Sequence, residues 1–193
     1  TAGMTGNARQ KFDCVIAASV DGEAYEAMRR KGDKCRFLQN SALSGEICMS
    51  REPMIRQIYG GFQTQPSYAS RILPTHDDPG WVWDDRSPTN KESLALCFAW
   101  GICATTNSNT ITLVTIDGQM IGNGVGQQAR VYAAKLAVER AKTAGHSTDG
   151  ALAVSDSFFP EIDGPEVLAD AGIRAIQTTS GSVNDDKVRE CLS

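Results

Sequence analysis

Histidine is the scarcest reactive side chain here: two in 193 residues, His76 and His146. His76 sits in a polar, proline-flanked loop, PTHDDPG, and His146 follows a helix predicted to end at Gly145. Neither has an HxE or HxxxH neighbourhood, so a structural or catalytic zinc site is not expected. A Ser-His-Asp hydrolase would need one of them together with a GxSxG elbow, which is missing. The six cysteines (Cys14, Cys35, Cys48, Cys97, Cys103 and Cys191) form no CxxC pair. In a chain of this length, that reads as reduced thiols in a cytoplasmic protein. No apolar run approaches the roughly 18 residues that cross a bilayer. The opening TAGMTGNARQKFD lacks the apolar middle of a secretory signal. A net charge of -4 leaves no basic footprint for nucleic acid. No internal repeat is evident. What remains is a chemistry of amides, carboxylates, arginines and aromatic rings.

The chain is 41% hydrophobic, enough for one ordinary core or two small fused ones. FDCVIAAS (12–19) is apolar and β-prone and reads as a buried strand. Asp21 caps a predicted helix over Gly22 to Arg30, and CRFL (35–38) reads as a second strand. YGGFQTQ (59–65) alternates aromatic and polar residues as a third strand would. Residues 66–88 hold four prolines and the acidic pairs Asp77-Asp78 and Asp84-Asp85, and read as a flap or linker. Thr89 caps a helix to about Ala104, with Glu92 completing a capping box and Leu94, Cys97, Phe98 and Gly101 on one face. Ile111 to Ile116 is a strand leading into a two-residue Asp117-Gly118 hairpin turn. Gln127 to Ala144 is a strong helix, with Val131, Ala134, Leu136, Val138 and Ala141 as its apolar positions. Ala151–Val154, Pro165–Ala171, Ile173–Gln177 and Asn184–Leu192 follow as strand, helix, strand and helix. Such alternation predicts a layered α/β fold with a partly parallel sheet. The expected division is a partial N-terminal α/β portion over 1–88 and a C-terminal α/β domain over 89–193.

Two segments carry the candidate chemistry. The first is NTITLVTIDGQMIGNGVGQQAR, from Asn109 to Arg130. Its Gly122, Gly124 and Gly126 either expose backbone N–H groups to an anion at a helix start or let a hairpin turn sharply into that helix. Arg130, in the first helical turn, would strengthen an anion site. An amide at Asn109 can recognise a carbonyl, though it also suits a turn. The second segment is SDSFFPEID, from Ser155 to Asp163. Phe158 and Phe159 beside Asp156 and Asp163 suit a flat heteroaromatic ring, stacked and hydrogen-bonded by a carboxylate; equally, the rings can plug the core while the aspartates cap turns. Ser180-Gly181-Ser182 offers polar contacts or a simple turn. Trp81, Trp83 and Trp100 are expected to pack.

FAWGICATTNSNTITLV, DGQMIGNGVGQQARVYAAKLA, SDSFFPEIDG and TSGSVNDDKV, in this order, resemble the formyltransferase domain of the bifunctional purine enzyme that turns AICAR (5-aminoimidazole-4-carboxamide ribotide) into its formylated product. Weaker similarity runs back through YGGFQTQ to FDCVIAAS. The resemblance implies a cytidine-deaminase-like α/β/α fold without zinc, 10-formyltetrahydrofolate as formyl donor, a purine ribotide as acceptor, and a homodimer with sites between subunits. It places Asn109 on the reacting groups and Arg130 and Gln127 on the folate side. Phe158 would lie against the pterin, Asp163 at its ring nitrogens or in a proton relay, and Ser180 among the cofactor contacts.

Three departures from that pattern bear on activity. The family's Lys-His pair, in a KHxxPxG-type segment, would lie upstream of Phe12 and has no match here. Its Arg- and His-containing tail would follow Ser193. Two lysines of its AWKVAK helix are Gly101 and Ala104. The expectation is a folate-facing half-site, with catalysis completed by a second polypeptide or replaced by binding alone.

Overall fold

A computed structural model describes residues 12–29, 34–44, 53–66 and 86–192. His76, Trp81, Trp83 and nearly all of the proposed flap lie outside the described residues. The chain divides into two compact units, Thr1–Ser50 and Arg51–Ser193.

The first unit is a small βαβ. Strand β1 (Cys14–Ala17) runs parallel to β2 (Arg36–Gln39), joined through helix α1 (Gly22–Met28) and followed by a 3-10 turn at Ser41–Ser44. Asp21 caps α1 by accepting the Ala24 N–H at 2.7 Å, as its residue type predicts. Tyr25 and Phe37 bring their rings to 4.9 Å. The expectation that β1 is buried does not hold: Ile16 is 64% exposed and Leu38 56%. Two strands and one short helix cannot cover both faces of so small a sheet.

In the second unit, β3 (Met54–Ile58) and β4 (Gly61–Gln65) form an antiparallel hairpin. The predicted single strand over 59–65 is thus half of a pair. Tyr59-Gly60 is the turn, with Gly60 at φ 81°. The main body follows: α2 (Asn90–Ala104), β5 (Ile111–Val114), β6 (Met120–Gly124), α3 (Arg130–Thr143), β7 (Leu152–Ser155), α4 (Asp163–Asp170), β8 (Ala175–Gln177) and α5 (Asp185–Leu192). The sheet order is β6-β5-β7-β8, with β5 antiparallel to both neighbours and β7 parallel to β8. Every residue of β5 and β7 is buried because helices cover both faces. Ile111, Leu113, Ala151 and Ala153 meet the α3 side, whereas Val114, Leu152 and Val154 meet α2. That split is the period-two alternation of a strand. The architecture is mixed α/β, with α2 on one face of the sheet and α3 on the other.

The capping box at Thr89 and Glu92 forms as its sequence predicts. The face of α2 does not follow expectation. Ala95, Leu96, Ala99 and Cys103 pack on the sheet, leaving Leu94 66% and Phe98 49% exposed. An α-helix apolar all round does not declare its inner face; the face that packs carries three small side chains, Ala95, Ala99 and Cys103, beside Leu96. The turn after β5 also differs. Thr115 N–H donates to Gln119 O (2.8 Å) around a three-residue loop, with Gly118 at φ 81°. That is a three-residue loop closed by a left-handed glycine rather than a two-residue turn.

Glu92 does more than cap. Its carboxylate, 1% exposed, accepts both Nη atoms of Arg86 (2.7 and 2.9 Å), Arg174 Nε (3.2 Å), and the Thr89 N–H and hydroxyl. Hydrogen bonding from Arg86 outweighs burial and holds its pKa at about 2, below the ordinary 4.5. A depressed carboxylate stabilises the fold fully above pH 4.5 and loses that contribution as pH falls toward 2. The span corresponds to about 3 kcal/mol. Glu92→Gln is therefore expected to cost about 2–3 kcal/mol at neutral pH and to flatten the acid limb of a urea stability curve between pH 5 and pH 2. An acid limb as steep as the wild type would refute this.

Candidate functional site

β6, β7 and β8 all point the same way, so their carboxyl ends share one edge of the sheet with the start of β5. In open α/β sheets that edge is where ligands bind. Asn109 lies just before β5 and Gln127 just after β6. Arg130 opens α3, Phe158 and Asp163 follow β7, and Ser180 follows β8. All six named candidates therefore sit on loops or helix starts at one edge.

At its centre is a buried polar cluster. Arg130, 8% exposed, donates through Nη1 to Ser155 Oγ (3.0 Å) and to Asp156 Oδ1, and through Nη2 to Asn109 Oδ1 (2.7 Å). Asp156 Oδ1 also accepts the Thr110 N–H at 3.1 Å. Asn109 uses its amide nitrogen on Gln127 O (2.9 Å) and Gln128 O (3.3 Å), while the Asn109 and Gln127 backbones exchange hydrogen bonds of 3.1 and 3.2 Å. The Gln127 side chain donates to Val125 O at 2.9 Å. Arg130 and Asn109 are brought together, but their polar groups are turned onto the protein. Asp156, expected beside a ligand ring, is committed to Arg130 and Thr110. Sequence reading missed the Arg130–Asp156 pair; its one signal was an acid directly after a short apolar strand.

The neighbouring phenylalanines divide between the two readings of SDSFFPEID. Phe159 is a core plug at 2% exposure, whereas Phe158 stands at the rim, 36% exposed. A side-chain carbon added at Gly181 would lie 3.9 Å from the Phe158 ring, so the loop after β8 runs alongside it. Thr178 Oγ1 donates to Ser157 O (3.0 Å) and Asn184 Nδ2 to Pro160 O (2.7 Å), lacing the two loops together. Asp185 accepts the Gly181 and Ser182 N–H groups, which shapes the loop that carries the exposed Ser180. Asp163 is exposed at the start of α4, and its carboxylate accepts the Gly164 N–H at 2.8 Å. Gly164 in turn packs under the Phe159 ring, and a carbon added there would lie 3.9 Å from Val131 N. The starts of α3 and α4 are thus neighbours.

The glycine trio serves packing more than anion binding. Gly122 and Gly124 lie within β6, and a side-chain carbon on them would come 2.2 and 1.9 Å from the carbonyl oxygens of Ala137 and Ala133. Only Gly126, at φ 69°, shapes the loop. His146 sits beyond the far end of α3, a helix of about 20 Å, so it is no base for this edge. Trp100 packs against the core between α2 and the sheet. Burial raises the Cys103 thiol to about 12, which makes it inert packing. Among the described residues no group of His, Cys, Asp and Glu could hold a metal ion, and no helix is long and apolar enough to cross a membrane.

These features define a layered α/β domain in which β6, β7 and β8 run in one direction and gather amide, guanidinium, carboxylate and aromatic groups at one edge. Comparison with known proteins gives the family. Residues 4–140 match the AICARFT/IMPCHase bienzyme family, and the chain belongs to it. It is 37% identical over 175 residues to the bifunctional purine biosynthesis protein PurH of Nostoc punctiforme, covering 90% of this chain and 32% of that protein. It is 42% identical over 182 residues to PurH of Cutibacterium acnes, covering 92% and 33%. The chain thus spans about a third of the length of these relatives.

Proposed function

We propose that this chain carries the folate-facing part of an AICAR formyltransferase site in purine biosynthesis, within a cytidine-deaminase-like domain over residues 89–193. The observation that carries the reading is the rim itself. An exposed Phe158 ring lies beside the Gly181 loop, with the Asp163 carboxylate at a helix start next to that of Arg130. A flat pterin stacks on such a ring, and a nearby carboxylate accepts its ring N–H groups. In this reading 10-formyltetrahydrofolate is the donor and a purine ribotide the acceptor. Phe158, Asp163 and Ser180 touch the folate, whereas Gln127 and Arg130 shape its pocket from behind.

Formyl transfer joins an amine nitrogen to the formyl carbon through a tetrahedral intermediate, and the bond from that carbon to the folate nitrogen then breaks. The amine proton needs an acceptor, the oxyanion a donor, and the leaving nitrogen a proton. In this reading Asp163 either bonds the pterin ring nitrogens or helps relay a proton to the leaving nitrogen. Asn109 can serve the oxyanion only by releasing Gln127 O or Gln128 O. The base comes from outside the described residues, in a homodimer or from a second polypeptide. Calorimetric titration of 10-formyltetrahydrofolate tests the reading. Asp163→Ala is expected to weaken binding about tenfold, the worth of one charge-assisted hydrogen bond. Unchanged affinity would count against a folate pocket here.

A second reading is a folate- or nucleotide-binding paralogue that does not transfer formyl groups. The engaged Asn109 amide and the remote His146 favour it. Robust formylation of AICAR by the isolated chain would eliminate it.

A further inference from the structure

Three segments of the site meet at Asp156. Its Oδ1 takes the Thr110 N–H from the loop before β5 and the Arg130 guanidinium from the start of α3, while its own backbone N–H donates to Thr110 O at 3.2 Å. Ser155, next to it, accepts from Arg130 at 3.0 Å and donates its hydroxyl to Ser157 O at 2.5 Å. Arg130 then holds Asn109 Oδ1, and Asn109 holds the Gln127 and Gln128 carbonyls. The chain of contacts ties residues 107–110, 125–130 and 155–158 into one unit. The two charges are 8% and 12% exposed. At that burial an ionised pair tolerates loss of one partner poorly, because the other charge is left without compensation. No other cation or anion makes an ion pair with either residue among the described ones.

We propose that Asp156 is a positioning residue: as a charge paired with Arg130, it aligns the three loops that carry Asn109, Gln127 and Phe158, and so sets the folate pocket without touching folate. The statement of what is set rests on the folate reading above; the alignment itself does not. Asp156→Asn keeps the volume and an acceptor for Thr110 but removes the charge. It leaves the Arg130 guanidinium buried beside neutral partners.

The test uses the 193-residue chain, with amide hydrogen exchange read segment by segment and affinity for 10-formyltetrahydrofolate measured in parallel. In Asp156→Asn, residues 107–110, 125–130 and 155–158 are expected to exchange at least tenfold faster, with the interior of α2 unchanged. Folate affinity is expected to fall at least tenfold. Removing both charges, in Arg130→Gln with Asp156→Asn, is expected to recover much of the protection at 107–110 and 155–158. A residue that merely filled space would show no such recovery. Should Asp156→Asn fail to fold, Arg130→Lys serves instead, since a lysine cannot hold Asp156 and Asn109 together; faster exchange at both 107–110 and 155–158 is then expected. Wild-type exchange at all three loops, or change confined to one of them, overturns the proposal. If the wild-type chain binds no folate, the folate reading fails, and the exchange pattern alone still decides the role of Asp156.

Discussion

Gly124→Ala is expected to destabilise the second unit by about 3 kcal/mol or more, near the top of the range for overpacking. The added carbon would meet the Ala133 carbonyl oxygen at 1.9 Å and the Ala137 nitrogen at 3.0 Å. Both are backbone atoms of α3, so no side chain can swing aside. The helix must lift from β6, opening the interface where Ala133, Ala134, Ala137 and Ala141 pack against the sheet. A loss of that size lowers the melting temperature by about 10 °C for a unit of this length. Gly126→Ala is the control. Its φ of 69° disfavours alanine, but its surroundings are open, so about 1 kcal/mol is expected. Thermal unfolding of the two variants side by side checks the argument. A Gly124→Ala melting temperature within 2 °C or so of wild type would mean that α3 and β6 are not in such contact.

Arg130→Met is expected to cost about 3–5 kcal/mol, the range found when one partner of a buried ion pair is removed. The methionine fills similar volume, so the loss measures charge and hydrogen bonding rather than a cavity. Asp156 would be left at 12% exposure with no cation, and Asn109 Oδ1 without its donor. Urea denaturation gives the value directly. A midpoint corresponding to less than 1 kcal/mol of destabilisation would show that the cluster is solvated and the guanidinium dispensable.

Some of this was legible in the chain. Thr89 and Glu92 announced a helix start because a capping box is a local device whose partners lie three residues apart. Asp21 was readable for the same reason. The layered α/β class followed from alternating patterns, and the matching motifs of the AICARFT/IMPCHase family fixed the kinship. What could not be read depends on partners far apart in the chain. The inner face of α2 was hidden because Leu94 and Phe98 are as apolar as Ala95 and Leu96; only packing against the sheet decides which face turns inward. Gly122 and Gly124 looked like a loop because their constraint comes from α3, which a local reading does not see. The pairing of Arg130 with Asp156 spans 26 residues, and nothing local signals it. Phe158 and Phe159 are identical letters with opposite fates, decided by which of them the start of α4 covers.

The central claim is that one edge of the sheet, where the loops after β7 and β8 meet the starts of α3 and α4, receives a reduced folate. Nuclear magnetic resonance of the labelled chain, titrated with a stable reduced folate, tests this most directly. The account predicts saturable shifts concentrated at Phe158, Asp163, Gly164 and Gly181, with the β5–β6 turn at Ile116–Gly118 unmoved at the opposite edge. Shifts at that turn, or none at any concentration that dissolves the ligand, would contradict it.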